Sequence, residues 1–170
     1  MNDPTVRKAI EQLSAAIAAD PARSRAKNVP ATARLTGGLR CEVTGPQGQR
    51  LETDMPPAMG GGASAPNPGW FLRGAIASCM ATVIAMRAAE LGVALEALEV
   101  TVDSDADLRG ILGLDDKVSA GQHAVRTTVR IRGSADAQTL REIVAWADAH
   151  SPVGCTLRDA PACSLDIQVL

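Results

Sequence analysis

Aromatic side chains are the scarcest resource in this chain of 170 residues: Phe71, Trp70 and Trp146 are present and tyrosine is absent. Binding of single-stranded nucleic acid by base stacking has almost nothing to work with. Charge of one sign is also missing, because 17 Lys+Arg stand against 19 Asp+Glu. A field for nucleic acid or an acidic tail is thereby excluded. Histidine is limited to His123 and His150, without the three or four convergent ligands that zinc wants, so no metal or other cofactor is expected. The longest uncharged helical stretch, residues 74–86, has 13 residues where a bilayer span wants about 20. The first 20 residues mix acids with Arg7 and Lys8, unlike a secretory leader. A cytoplasmic protein with no membrane and no nucleic-acid partner is expected. Cys41, Cys79, Cys155 and Cys163 lack CxxC spacing and fit free thiols in a reducing compartment. The glycine run at 60–62 makes neither a GxGxxG fingerprint nor a Walker loop, so nucleotide binding is discarded.

What is present is a chain rich enough in aliphatics, 46% hydrophobic overall, to bury a core without disulfides. Val6, Ile10, Leu13 and Ile17 recur at helical spacing over residues 5–19, and Asp20-Pro21 ends that helix. Residues 21–30 read as a linker, giving a division into 1–30, helix and linker, and 31–170, the main domain. The helix is an arm for packing on the body or on a second subunit. Segments 31–36, 39–45 and 49–54 read as three strands joined at Gly37-Gly38 and Gly45-Pro46-Gln47-Gly48. A glycine- and proline-rich loop, 55–68, leads into the longest helix, capped by Asn67, opened by Pro68 and stopped at Gly92. Its apolar residues lie on every side between Arg73 and Arg87, which predicts burial all round.

Residues 93–102 predict a strand, and Ile111 to Leu114 a short strand start. In 123–132, Val125, Thr127, Val129 and Ile131 face one way, with Arg126, Thr128, Arg130 and Arg132 opposite them in solvent. A second helix spans 135–150 and is broken at Pro152. Residues 153–157 form a turn or short helix, and Leu165, Ile167 and Val169 alternate as a last strand. The fold class is α+β, with largely antiparallel sheet.

Cys79 is the residue to single out for chemistry. A mid-helix thiol becomes a nucleophile given a positive partner and partial access; without them it is an inert core filler. Cys155, just beyond the Pro152 break, is a plausible second thiol, whereas Cys41 and Cys163 read as inert. Arg34, Arg40 and Arg73 are the candidate activating charges, each otherwise an ordinary rim arginine.

Pro68-Gly69-Trp70-Phe71-Leu72 running into Ala77-Ser78-Cys79-Met80-Ala81-Thr82 resembles the OsmC/Ohr family. So do Asp105-Ala106-Asp107-Leu108-Arg109-Gly110 and Ser151-Pro152-Val153, across residues 31 to 170. The resemblance implies an intertwined homodimer whose central helix is buried between chains, with sheets built from both. It also implies thiol-dependent reduction of organic hydroperoxides. The cysteine matching Cys79 attacks the O–O bond and becomes sulfenic acid, and a second cysteine closes a disulfide. A dithiol reductant, lipoyl-type in the Ohr branch, reopens it, and an arginine and a glutamate hold the first thiol.

Three positions depart from that pattern. Ser151 stands where the second cysteine opens its triplet, Gly69 where the glutamate follows the proline, and Leu39 where the arginine follows the glycine pair. Cys155 or an external thiol then resolves the sulfenate. Arg40 lies one strand residue off, on the opposite face, which leaves Arg34 or Arg73 as substitutes. The alternative expectation is a non-catalytic homodimer that binds a small apolar ligand in an interface pocket lined by Cys79.

Overall fold

A computed structural model of the chain describes residues 4–169. In chain order the elements are α1 (Pro4–Ala19), β1 (Thr32–Gly37), β2 (Arg40–Thr44), β3 (Arg50–Thr53), α2 (Pro68–Glu90) and β4 (Leu95–Asp105). They are followed by α3 (Leu108–Ile111), β5 (His123–Gly133), α4 (Ala137–His150) and α5 (Pro152–Arg158). The architecture is α+β, as expected. Short 3-10 turns lie at Pro21–Ser24 and Pro57–Met59. Asp20 opens the first of them by accepting the Ala22 N–H at 3.2 Å, which ends α1 where the Asp-Pro pair predicts.

Contacts divide the chain into two compact units. One comprises Ala9–Ala75 and Val102–Arg126. Here β1, β2 and β3 form an antiparallel sheet in sequence order, with Leu35 opposite Cys41, Cys41 opposite Thr53, and a bulge between Leu35 and Gly37. The loop after β3 is organised by Asp54, which is 4% exposed. Its carboxylate accepts the backbone N–H groups of Met55 (2.8 Å), Gly62 (3.1 Å) and Ser64 (3.0 Å), and the Ser64 hydroxyl at 2.8 Å. The glycine run serves this clamp, since a Cβ on Gly61 would stand against the Met55 carbonyl. Asn67 then caps α2 by accepting the Trp70 N–H at 2.9 Å.

Of the described residues, the other unit comprises 4–8, Ile76–Thr101 and 127–169. Its core is aliphatic: Met80, Val83, Ile84 and Ala88 from α2 share one cluster with Val93, Leu95, and Leu140, Ile143 and Ala147 from α4. Val129 and Ile131 of β5 pack against that cluster. Asp136 caps α4 by accepting the Thr139 N–H at 2.8 Å, so the helix starts two residues later than its sequence pattern. β4 and β5 pair with each other. Their cross-strand ion pairs run in opposite chain directions, Arg132 to Glu96 (2.9 Å) and Arg130 to Glu99 (2.7 Å), which makes the ribbon antiparallel with the arginine face in solvent.

Three expectations are corrected. α2 is not buried all round: Ile76, Met80, Val83, Ile84, Ala88 and Ala89 are buried, but Ala75, Ser78, Thr82, Ala85 and Met86 form an exposed face. At 23 residues and mean hydropathy 1.4 the helix is long and apolar enough to cross a bilayer, but its buried side belongs to the core cluster. Residues 111–114 are not a strand start, because Asp107 caps the short helix α3 by accepting the Arg109 N–H at 3.0 Å. Leu165, Ile167 and Val169 alternate but form no strand, standing 85%, 74% and 92% exposed with no neighbouring strand to pair with. α1 buries none of its residues.

The Asp54 clamp predicts a pH signature. Its hydrogen bonds, those from Ser64 foremost, lower the carboxyl from its ordinary 3.8 to about 2. Stabilisation by the carboxylate is therefore full above pH 4 and lost as pH falls toward 2. Urea unfolding of wild type and Asp54→Asn should show a stability gap at pH 7 that closes between those values. A gap constant from pH 7 to pH 2 would contradict this.

Candidate functional site

Cys79 lies in the fourth turn of α2, half-buried at the margin of the aliphatic core. Its partner is Ser151, whose hydroxyl donates to the Cys79 sulfur at 3.3 Å. Ser151 is only 3% exposed, and local backbone logic fixes it there. Pro152 cannot continue α4, so the chain turns at Ser151, which ends α4 and caps α5. The same hydroxyl oxygen accepts the Gly154 N–H at 3.3 Å. The result is a relay from amide to hydroxyl to sulfur, in which each bond polarises the next.

Cys155 follows one turn later, its N–H bonded to the Ser151 carbonyl at 2.8 Å. Residues four apart share a helix face. The Cys155 thiol donates to the Ala149 carbonyl at 3.3 Å and accepts from Arg158 Nη2 at 3.5 Å. Arg158 in turn reaches α4, bonding Asp148 Oδ1 at 3.1 Å. The Arg158 proton is held above its ordinary range, by the bond to Cys155 first and by the Asp148 charge after it. Beside this, at the end of α4, the Trp146 ring stacks on His150 at 4.0 Å and has the Arg87 guanidinium 4.7 Å from its centre.

The expected arginines belong to the other unit. Arg34 and Arg40 are exposed on the β1–β2 hairpin, and Arg40 bonds Thr36 at 3.3 Å. Arg73 is half-buried, and its guanidinium is met by neutral groups, Gln122 Oε1 at 3.2 Å and Ser104 Oγ at 3.5 Å. Gln122 also donates to the Gly69 carbonyl at 3.2 Å, and a Cβ on Gly69 would come 2.7 Å from its amide. The place a side chain at position 69 would take is thus filled by Gln122. Cys41 lies in β2 and Cys163 is exposed beyond α5. Among the described residues no three His, Cys, Asp or Glu groups gather as metal ligands.

Sequence reasoning named both thiols but missed Arg158 and Gln122. The signal for Arg158 was its position three residues after Cys155, which becomes informative once 152–158 is read as helix rather than turn. For Gln122 the sequence offered none. An open groove of about 880 Å³ between β5 and α4 is floored by Met80, Val129, Ile131, Leu140 and Val144, with Arg130, Arg141 and Asp148 at its rim. Cys79 does not line it.

A family model described as OsmC-like protein matches residues 60–166. No curated protein matches the chain. Among solved structures it is similar to an OsmC-like protein from Mycoplasma pneumoniae, at 15% identity over 80% of this chain and 91% of that one, TM-score 0.68. An organic hydroperoxide resistance protein, OsmC, from Legionella pneumophila matches at 20% identity, 79% and 91% coverage, TM-score 0.56. The organic hydroperoxide resistance protein OhrB of Bacillus subtilis matches at 20% identity, 79% and 93% coverage, TM-score 0.53. At these identities the likeness is one of fold.

Ser151→Ala removes both the cap of α5 and the donor to Cys79. It should cost about 1 kcal/mol of stability and change the rate at which a neutral alkylating agent modifies Cys79, read by peptide mass mapping. An unchanged Cys79 rate would show that the hydroxyl does not govern the sulfur.

Proposed function

Since the chain belongs to the OsmC-like protein family, we propose that it reduces organic hydroperoxides through Cys79. The observation that carries this reading is the half-buried Cys79 sulfur receiving a hydrogen bond from buried Ser151. A donor of that kind is what a sulfur anion needs in place of water. The Cys79 thiolate attacks the O–O bond, its electron pair forming S–O while the alkoxide leaves and takes a proton to become the alcohol. Sulfenic Cys79 is then attacked by the thiolate of Cys155 or of an external thiol. The S–O bond breaks, hydroxide leaves as water, and a dithiol such as a lipoyl-type reductant returns two electrons to the disulfide. Ser151 cannot resolve the sulfenate, since a hydroxyl forms no disulfide. Arg34 and Arg40 enter on sequence grounds alone, as groups that orient the peroxide, and Arg→Ala variants at each position test them by turnover.

The active species in this reading is a homodimer. The exposed face of α2, Ala75, Ser78, Thr82, Ala85 and Met86, is small and uncharged, suited to close approach of a second helix. The alternating, unpaired Leu165, Ile167 and Val169 suit a strand completed by the partner's sheet. Light scattering should return twice the 17.6 kDa chain mass, and Met86→Asp should shift it toward the single chain.

The deciding experiment challenges reduced protein with one equivalent of an organic hydroperoxide and reads intact mass. Loss of about two mass units, mapped to a Cys79–Cys155 link, establishes internal resolution. Stepwise gain of oxygen on Cys79 alone establishes a thiol that depends on an outside reductant. Cys79→Ser should abolish turnover with little loss of stability. Four intact thiols after the challenge would remove the enzyme and leave the ligand-binding alternative, for which the groove between β5 and α4 offers an apolar floor.

A further inference from the structure

A positive charge stands beside the second thiol. Within the unit that contains both cysteines, the guanidinium that bonds a sulfur is Arg158, and the sulfur is that of Cys155. Two features set this contact. Arg158 lies three residues after Cys155 on α5, so the helix itself places the two side chains together. The same guanidinium reaches α4, its Nη1 bonding the Asp148 carboxylate at 3.1 Å and its Nη2, the nitrogen that meets the sulfur, bonding the Asp148 backbone carbonyl. Arg158 therefore bridges two helices with the Cys155 sulfur at the bridge.

The two partners of that sulfur differ in what they do when its proton leaves. The Ala149 carbonyl accepts from the thiol and holds nothing once the hydrogen is gone. Arg158 donates, and its attraction grows as the sulfur becomes an anion. We propose that Arg158 is the positioning residue for the second thiol: clamped by Asp148, it holds the Cys155 sulfur for attack on sulfenic Cys79. This rests on the peroxidase reading above. In the step it serves, a Cys155 sulfur lone pair forms the S–S bond, the S–O bond of Cys79 breaks, and hydroxide leaves to be protonated to water. The electrons that reopen the disulfide come from the dithiol reductant. The other charged and titratable groups at this place are on α4 or at the end of α5. Asp148 is engaged by Arg158, His150 Nδ1 meets the Trp146 carbonyl at 2.7 Å, and Asp159 ends α5. The raised hold of Arg158 on its proton, caused first by Cys155, agrees with the geometry.

The test uses the reduced full chain, wild type, Arg158→Met and Arg158→Lys, with circular dichroism to show that all three fold alike. Iodoacetamide is applied from pH 6 to 9 and each cysteine's alkylation is read by peptide mapping. Arg158→Met should slow Cys155 at neutral pH on the order of ten-fold, Arg158→Lys should keep most of the rate, and Cys79 should be unchanged in both. After one equivalent of hydroperoxide, Arg158→Met should accumulate a dimedone-trappable sulfenate on Cys79 where wild type forms the disulfide. Equal Cys155 rates in wild type and Arg158→Met would overturn the proposal, as would a loss in Arg158→Met that spreads equally to Cys79. Failure of all variants to consume peroxide, with Cys155 still slowed in Arg158→Met, would sink the peroxidase reading and its sulfenate step while sustaining the hold of Arg158 on the sulfur.

Discussion

The burial of one stripe of α2 in a common cluster with one stripe of α4 is the constraint on which the sulfur chemistry depends. With three aromatic residues in the whole chain, that cluster is built from Val, Ile, Leu, Met and Ala, and Ile84 and Ile143 are its largest fully buried side chains. Aliphatic cores of this kind hold by area and close packing, with little directional bonding. Cys79 is one residue from Met80 in that stripe, so the packing that places Met80 also fixes the sulfur at the edge of the core. The α4 side of the cluster does the same for the other half of the site. Leu140, Ile143 and Ala147 set α4, and the chain then turns at Ser151 because Pro152 permits nothing else.

Ser151 is consequently a residue with two duties from one oxygen. Its hydroxyl accepts an amide of α5 and donates to Cys79, so the start of α5 and the sulfur cannot shift independently. A cysteine at this position would trade the relay for a direct covalent resolver. Serine keeps a hydrogen bond to the sulfur and forms no disulfide, and the next thiol along the chain is Cys155, one helical turn on. The departures from the family pattern therefore differ in kind. At Gly69 the lost side chain is replaced in space by Gln122, which reaches in from another part of the chain and leaves Arg73 with neutral company. At Ser151 the replacement is chemical and nothing fills it but a neighbour.

Local signals in the sequence were legible wherever one residue does one job within its own segment. Asn67 before Pro68 marked the start of α2, Gly92 its end, and the alternation over 123–132 the arginine face of β5. The failures share another cause. An all-round apolar helix and an alternating C-terminal segment both describe burial that a single chain does not supply. Sequence periodicity reports where apolar residues recur, and not whether the fold of the chain buries them. The strand start at 111–114 failed for the opposite reason. There the Asp107 side chain hydrogen-bonds its own backbone two residues on, and a local cap outweighs a four-residue apolar patch.

The site itself was legible as residue types and not as pairings. Two thiols, one mid-helix and one just beyond the Pro152 break, could be named, but spacing alone did not separate Arg158 from Arg34 and Arg40 as a partner for either sulfur. What separates them is that α5 is a helix. Once residues 152–158 wind, Cys155 and Arg158 fall on one side, and Ser151 at the cap looks back to α2. A seven-residue segment closed off by Pro152 and too short to be stable alone thus decides which charge meets which sulfur. It is tied to α4 by the buried Ser151 that ends one helix and caps the other, with the exposed Arg158–Asp148 pair adding little. The same contacts that fold α5 are therefore the ones that partner the thiols. A substitution that loosens α5 would cost Cys155 its position well before the aliphatic core was disturbed.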